Sequence, residues 1–316
     1  MTWRPLKRTK DLAPVAVLLG LLLAAAFPGL LAPVPPGTLD VPYMAPDARH
    51  LLGTDSIGQD LLSELIYSAR ITLWVAFLAS FLATFLGTLV GVTAGYFGGA
   101  RDEWLMRITD VFLLLPGLPL IILLAAYMDS GVFGIALVIG MTAWPGTARV
   151  VRANVQQERG KNFIRSAQAF GAGNFYVMAV HILPNIFEVV LAKGALAGAS
   201  AMVAEAGVSF LGLGDCRYKS WGAMLHEAFT SGGLLNGAYG WYLPPILCIS
   251  MTVLCLTLMG QRWIESEDEN PGMVGAGGHG ALGPLNPGEG VWLQVKDLSV
   301  DFLDRKSTRL NSSHRL

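Results

Sequence analysis

The sequence predicts an all-α integral membrane protein with six transmembrane helices and one cytoplasmic helix–turn–helix segment. Hydrophobic residues make up 53% of its 316 positions and charged residues only 14%, too apolar for a soluble chain of this length. The apolar residues are gathered into runs suited to a bilayer core about 30 Å thick. Between two such runs lies a long basic interval, residues 149–184, where Arg149, Arg152, Arg159, Lys161 and Arg165 face Glu158 as the only acid. The net charge of −1 conceals this segregation. The three cysteines, Cys216, Cys248 and Cys255, have neither metal nor redox spacing and predict no disulfide framework.

Arg4, Lys7, Arg8 and Lys10 precede an apolar run over residues 12–34. A basic start followed by Ala24-Ala25-Ala26 has the form of a cleaved signal, but the run is long for one and right for a span. As an anchor it starts inside, because the basic flank stays cytoplasmic. Pro33, Pro35, Pro36, Pro42 and Pro46 punctuate the polar stretch after it. Within that stretch Ser56 and Gln59 have capping-box spacing, and Ile57, Leu61, Leu62, Leu65 and Ile66 supply the stripe of an interfacial helix.

The second span is read over residues 71–96. Gly87, Gly91 and Gly95 recur every fourth position and leave one face nearly bare backbone, open to a close neighbour in the same chain or in another subunit. A short link, residues 98–107, leads to a third span over residues 108–128, bent by Pro116 and Pro119. The fourth covers residues 133–148, with Pro145 near its inner end. The fifth covers residues 186–213 and the sixth residues 241–263, separated by a loop over 215–240. Lys193 and Glu205 lie within the fifth. An ionisable residue inside a span is a functional candidate, so both are assigned to the translocation path, although Lys193 is near enough to the inner end to snorkel.

Inside the basic interval, Phe163, Ile164, Ala167 and Phe170 share one face of a short helix. Gly171 follows, where a helix end wants a residue that tolerates a left-handed backbone. A second helical run leads to Ile182, Leu183 and Pro184. Such a segment reads either as a pair of helices lying on anionic headgroups or as a docking surface. The spacing of Ala167, Gly171 and Ile182-Leu183-Pro184 resembles the coupling motif of ABC-transporter permeases. In that family the segment fits a cleft on a cytoplasmic ATPase. The family usually opens the motif Glu-Ala-Ala, whereas this chain has Arg165, Ser166 and Ala167. Gly53-Thr54-Asp55, the run AGYFGG over residues 94–99 and EAGVSFLGLG over 205–214 resemble the dipeptide, oligopeptide and nickel importers, specifically their second, C-type permease. Gln59 stands where those proteins carry arginine.

The resemblance implies a type I ABC importer permease fold over residues 1–265. It implies a coupling surface made by Phe163, Ile164, Arg165, Ser166, Ala167, Phe170, Gly171, Ile182, Leu183 and Pro184. The implied partners are a second permease subunit, two cytoplasmic ABC ATPase subunits, an extracytoplasmic solute-binding protein and the lipid bilayer, with no nucleic acid. No cofactor is expected in this chain, since ATP and Mg²⁺ belong to the ATPase partners and no G-x-x-x-x-G-K-[ST] loop occurs in the sequence.

Charge supports the topology: twelve basic residues fall on inner segments against Arg49, Arg70, Arg217 and Lys219 on outer ones, which places both termini in the cytoplasm. Residues 266–290 then read as an acidic patch and Gly/Pro linker. Residues 291–303 alternate like a strand and resemble the start of the ATPase partner, truncated, and residues 304–316 look non-native. Two rival readings remain. A secondary transporter would show two related halves, and no internal repeat is seen. An intramembrane aspartyl protease matches Gly212-Leu213-Gly214-Asp215 but needs Asp110 as its second acid, which the topology puts at the other membrane face.

Overall fold

The computed structural model describes residues 9–268 apart from positions 36, 128–130, 216, 234 and 236; the linker, strand-like segment and tail expected beyond residue 268 lie outside the described residues. Among the described residues every named element is helical, beside one isolated antiparallel β-bridge between Thr54 and Asp60. In order it runs α1 (Thr9–Ala26), α2 (Pro28–Leu31), α3 (Leu61–Phe97), α4 (Gly99–Leu114), α5 (Gly117–Tyr127), α6 (Val132–Arg159), α7 (Asn162–Ala169), α8 (Asn174–Tyr176), a π turn (Val177–Ile182), α9 (Leu183–Asn185), α10 (Phe187–Val208), a second π turn (Ser209–Leu213), α11 (Trp221–Thr230) and α12 (Tyr239–Asp268).

Among the described residues four helical stretches are long and apolar enough to cross a membrane: Leu61–Phe97, Val132–Arg159, Phe187–Leu213 and Tyr239–Ile264. A fifth arises if α4 and α5 count as one span, and α1 contributes the shorter apolar helix Ala13–Ala26. The first apolar run is therefore not one helix. It stops at Ala26, and Pro28, which lacks an amide hydrogen, opens the separate turn α2.

α3 begins later than the capping-box reading places it. Its N-cap is Asp60, whose Oδ2 accepts from the Ser63 amide at 2.8 Å. Ser56 does not cap, because Asp55 Oδ1 takes the amides of Ile57 at 2.9 Å and Gln59 at 2.7 Å and folds residues 55–59 into a turn. Gly58 has φ +88° in that turn, and a Cβ there would lie 1.9 Å from the Asp40 carbonyl oxygen. From Asp60 onward the helix is unbroken, so the expected interfacial helix and second span are one element of 37 residues, about 55 Å long.

The glycine ladder meets its partner within the chain. A Cβ on Gly87 would come 2.6 Å from Thr147 Cβ, one on Gly91 2.7 Å from the Ala148 carbonyl oxygen, and one on Gly95 2.8 Å from that of Arg152. All three contacts are with α6, and Gly140 of α6 returns the approach against Leu82 and Ala79. On the other side of α3, Trp74, Phe77, Phe81 and Phe85 are exposed and stack in sequence at 6.1–6.4 Å. α10 packs onto the α3–α6 pair through a core containing Val75, Ala79, Ile135, Ile139, Ala201 and Val208.

Other boundaries are corrected for local reasons. The fourth span does not end at Ala148 but continues as α6 to Arg159, so the first third of the basic interval belongs to a span. The third span is two helices bent by 84°, α4 and α5. Leu115 is extended between them, as the residue before a proline tends to be, while Pro119 sits in the first turn of α5 where an amide hydrogen is not needed. The stretch 215–240 is not simply a loop. Ser220 caps α11, and Trp221 is buried beneath it, donating from its amide to Thr72 Oγ1 and from its indole to the Leu65 carbonyl, both at 3.0 Å. Cys248 and Cys255 are free thiols on α12.

Gly91→Ala should therefore lower thermal stability in detergent by about 1–3 kcal/mol, since the methyl group meets backbone that has nowhere to retreat. Gly146→Ala, on the open side of the same helix pair, should be neutral or slightly stabilising. Equal melting temperatures for the two variants would contradict the close approach.

Candidate functional site

The basic segment after α6 is bound to the helical body by an apolar plug and a set of polar latches. Lys161 starts α7, and its ammonium pairs with Glu158 in the last turn of α6. Glu158 Oε2 also accepts from Asn185 Nδ2 at 3.2 Å, so one carboxylate joins the two ends of the segment. The Tyr96 hydroxyl at the end of α3 donates to Asn174 Oδ1 at 2.9 Å and accepts from Gln168 Nε2 at 3.1 Å. The Arg159 guanidinium lies over the Tyr96 ring, 5.9 Å from its centre. Beneath these contacts Ile164 and Ile182 are fully buried with Tyr96, Val151, Val155, Val177 and Ile186.

α7 ends in a two-bond glycine cap. The Gly171 amide donates to the Gln168 carbonyl and the Ala172 amide to the Ala167 carbonyl, both at 3.0 Å, with Gly171 at φ +86°. Those bonds satisfy carbonyls that the end of the helix would otherwise leave free, and they aim the chain back toward the body. The predicted apolar stripe is thus divided. Ile164 and Ile182 turn inward. Phe163 is half exposed and packs edge-on against His181 at 6.3 Å, while Ala167 is half-buried. Phe170 is 92% exposed and Phe175 81%. Arg165, Ser166, Gly171, Leu183 and Pro184 are exposed as well. Arg165 has no ion pair among the described residues. Phe175, Tyr96 and Glu158 were not legible as participants in the sequence. Phe175 carries no periodic signal, and the other two lie in neighbouring helices.

Farther along the same face of the body, Arg152 makes a bidentate pair with Asp102 at 2.5 and 2.7 Å, and Gln156 adds a third bond to that carboxylate at 3.3 Å. This pairing ties α6 to the start of α4, and most of the Arg152 charge is engaged in it.

The two candidates for the translocation path are not brought together. Lys193 is half-buried in the first half of α10. Glu205, twelve residues and about 18 Å along the helix, is 1% exposed and accepts from Ser209 Oγ at 2.7 Å. Its second oxygen is buried, with the Ser220 hydroxyl the polar group near the carboxyl besides Ser209. Asp110 and Asp215 are engaged separately. Asp110 pairs with Arg149 at 2.6 Å, and Asp215 pairs with Arg217 and accepts the Val132 amide at 3.3 Å. The aspartyl-protease arrangement is thus not formed.

At the opposite end of α3, a polar cluster unpredicted by the sequence surrounds its N-terminus. His50 is buried, with Nδ1 3.0 Å from Asp60 Oδ1 and Nε2 3.5 Å from Asp40 Oδ2. The hydrogen bond to Asp60 pushes the imidazole pKa up, burial opposes it, and the bond to Asp40 adds to the rise. Nearby, Lys219 lies 2.7 Å from both Glu64 and Glu227 and 3.8 Å from Asp55. Burial pushes its ammonium pKa down, but the Glu64 charge and the bonds to both glutamates outweigh it and hold the pKa above its ordinary value.

Because the folded pKa of His50 is raised, its contribution to stability is complete below the unfolded value of about 6.5. It is lost as pH rises through the higher folded value. Thermal unfolding of the wild type should show this loss on the alkaline side of 6.5, and His50→Gln should flatten that part of the profile. An unchanged profile in the variant would show that His50 does not carry it.

Comparison with known proteins gives a single picture. Residues 87–265 match the family model described as binding-protein-dependent transport system inner membrane component. The dipeptide transport system permease protein DppC of Bacillus subtilis (strain 168) is 33% identical over 270 residues, covering 84% of each chain. The oligopeptide transport system permease protein OppC of Lactococcus lactis subsp. lactis (strain IL1403) is 32% identical, covering 72% of this chain and 78% of its own. The glutathione transport system permease protein GsiD of Pectobacterium atrosepticum is 31% identical, covering 71% and 73% respectively. With its helical spans, broken third helix and body-anchored helix–turn–helix, the chain belongs to the binding-protein-dependent transport system inner membrane component family and has the type I ABC importer permease fold.

Proposed function

We propose that this chain is a permease subunit of an ATP-driven importer of peptides, and that residues 162–185 are the surface through which an ATPase subunit moves it. The carrying observation is the contrast within that segment. Ile164 and Ile182 are sealed into the body, whereas Phe170 and Phe175 project almost completely exposed from the turn they support. An apolar surface that leaves large rings in water while polar groups latch its base is suited to a cleft on a second protein. Force applied at Phe170 passes through the capped turn to Ile164, and from there to Val151 and Val155 on α6 and Tyr96 on α3. Since α3 and α6 touch backbone to backbone, the pair moves as one wall.

The remaining assignments rest on the named relatives, which are permeases for dipeptides, oligopeptides and glutathione. By that likeness the cargo is a short peptide, the wall is completed by a second permease subunit, and a solute-binding protein delivers the cargo from outside. ATP and Mg²⁺ act on the ATPase subunits, and this chain is a transport subunit rather than an enzyme. The excess of basic residues in and around this segment supports a cytoplasmic 162–185 face, with both termini on that side. A reporter fused after Glu269 should accordingly be active only in its cytoplasmic form, and one inserted near Gly233 only in its exported form.

Gly171→Val tests the docking surface directly. No atom lies within 4 Å of a Cβ built on Gly171, so the substitution introduces no clash. It imposes only the strain of a β-branched residue at φ +86°, about 1–3 kcal/mol. The variant should insert and assemble but lose transport-coupled ATP hydrolysis. Phe170→Ala should leave the fold intact and weaken ATPase association by about tenfold to a hundredfold, the equivalent of 1.5–3 kcal/mol of ring burial. Arg165→Glu restores the acid usual in the family and should be tolerated if the ATPase cleft leaves position 165 in solvent. Wild-type recovery of the ATPase and wild-type coupled hydrolysis in both Gly171→Val and Phe170→Ala would assign the segment to the lipid surface instead.

A further inference from the structure

A cavity of about 500 Å³ opens beside the N-terminal half of α3, between that helix and the strand of chain leading into α11. Gln59, Glu64, Tyr67, Arg70, Arg217 and Lys219 line it. Its charges are unevenly spread. Toward the start of α3 the wall carries Glu64 and Lys219, and behind it Asp55 and Glu227 each bring a carboxylate oxygen within 4.8 Å of one another and of Glu64, with Lys219 the one ammonium among them. The Glu64 side chain is 6% exposed; one oxygen pairs with Lys219, and the other has no hydrogen-bond partner among the described residues. Six residues farther along the helix, about 9 Å, Arg70 is exposed with no ion pair among the described residues. Arg217, by contrast, is already committed to Asp215.

The acidic end is dimensioned for an ammonium. The 2.7 Å separations between Lys219 Nζ and its two glutamates are those of charged N–H donors, whereas a divalent metal draws oxygens to about 2.0–2.6 Å. Three carboxyl groups surround one ammonium, and Glu64 holds an unused acceptor there. An incoming primary ammonium that takes the place of Lys219 leaves the charge of the cage unchanged. The exchange therefore avoids the penalty of exposing a buried carboxylate without a counter-ion. Lys219 is 28% exposed on its side chain and has open cavity beside it into which to withdraw.

We infer that this cavity is a transient seat for a zwitterionic peptide of two or three residues. The peptide's N-terminal ammonium enters the Asp55–Glu64–Glu227 cage, and its C-terminal carboxylate lies on Arg70. An extended peptide of that length spans about 7–10 Å, which matches the rise from Glu64 to Arg70. The inference rests on the reading of the chain as a peptide permease and extends it by naming the two ends of the cargo that the permease itself recognises. Side chains of the cargo are left to the open part of the cavity, so charge is read there and sequence is not.

The test uses the assembled transporter in nanodiscs, without binding protein, and saturation-transfer NMR of three probes: alanyl-phenylalanine, its C-terminal amide and its N-acetyl form. Wild type should bind the free dipeptide weakly and each blocked form at least tenfold more weakly still. Arg70→Gln, which removes an unpaired exposed group and should not disturb folding, should bind the free acid and the amide alike while still rejecting the N-acetyl form. Glu64→Gln should show the converse pattern. Equal binding of all three probes to wild type, or an Arg70→Gln variant that still prefers the free acid, would overturn the inference. So would displacement of the free dipeptide by calcium alone at the cage. A complete transporter with its binding protein that imports no peptide would instead overturn the peptide-permease reading, and this inference with it; import of peptides together with unaltered Arg70→Gln selectivity would leave that reading standing alone.

Discussion

The backbone-to-backbone contact of α3 with α6 is the constraint on which the rest of the structure depends. Three glycines four residues apart remove every side chain that would hold the helices apart, and the facing surface of α6 supplies carbonyl oxygens and β-carbons at less than 3 Å from where a Cβ would stand. Between two helices in lipid there is no water to expel, so association comes from dispersion and hydrogen bonding, and dispersion grows steeply as backbones approach. The contact runs from Gly87 to Gly95, the half of α3 that ends at the helix–turn–helix. The aromatic side chains of the same helix are placed on its outward side, where their bulk cannot interfere.

Two polar arrangements then fix what the apolar contact leaves free. At the C-terminal end of α3, Tyr96 bonds to Gln168 and Asn174 and Glu158 to Lys161 and Asn185 at the two ends of the segment, which prevents it from rotating as a loose hairpin. The carboxylate is mostly buried and the pairs are charge-assisted, so breaking one partner leaves an unsatisfied group rather than a solvated one. At the N-terminal end, Asp60 caps α3, binds Ser63 and holds His50, and Lys219 draws α3 and α11 together through Glu64 and Glu227. One helix about 55 Å long thus has a separate electrostatic anchor at each end.

How much of this was legible in the sequence depends on the range of the interaction. The helical class, the membrane runs, the glycine face and the turn at Gly171 follow from local patterns, because apolar periodicity and positive-φ tolerance are written in neighbouring residues. Boundaries failed where a local competitor decided them. Ser56 has capping-box spacing, but Asp55 reaches the same amides first and delays the helix to Leu61. Arg149 reads as the start of a polar loop because arginine is costly in lipid, yet α6 carries Arg152 onward by pairing it with Asp102, 50 residues earlier. The coupling stripe was half legible. Sequence spacing puts Phe163, Ile164, Ala167 and Phe170 on one side of a helix, but which of them faces the body is set by Tyr96 and Val155, and no local pattern contains that information.

The two π turns show how a rigid wall can still give at defined places. Each lies at one end of α10: Val177–Ile182 shortly before it and Ser209–Leu213 directly after it. A π turn widens the helix and leaves one backbone bond out of register, so it yields to torsion more readily than the α-helix beside it. The first is pinned by buried Val177 and Ile182 and by His181 packed between Phe163 and Tyr176. The second is pinned by Glu205 and Ser209, with Gly212 at φ +80° and His226 Nδ1 2.8 Å from the Phe210 carbonyl oxygen. α10 between them packs on α3, α6 and α12 partly through small residues, Gly198, Ala199 and Ala201, while Met202 is fully buried beside Trp221 and Met224 and Leu196 meets Gly260. Its two ends therefore differ in surroundings, one lying beside the proposed ATPase surface and the other beside α11. On the proposed docking reading, a push on the exposed turn at Phe170 reaches α6 and α3 through Ile164 and the core it shares with Val151, Val155 and Tyr96, at the end of α10 marked by the first π turn.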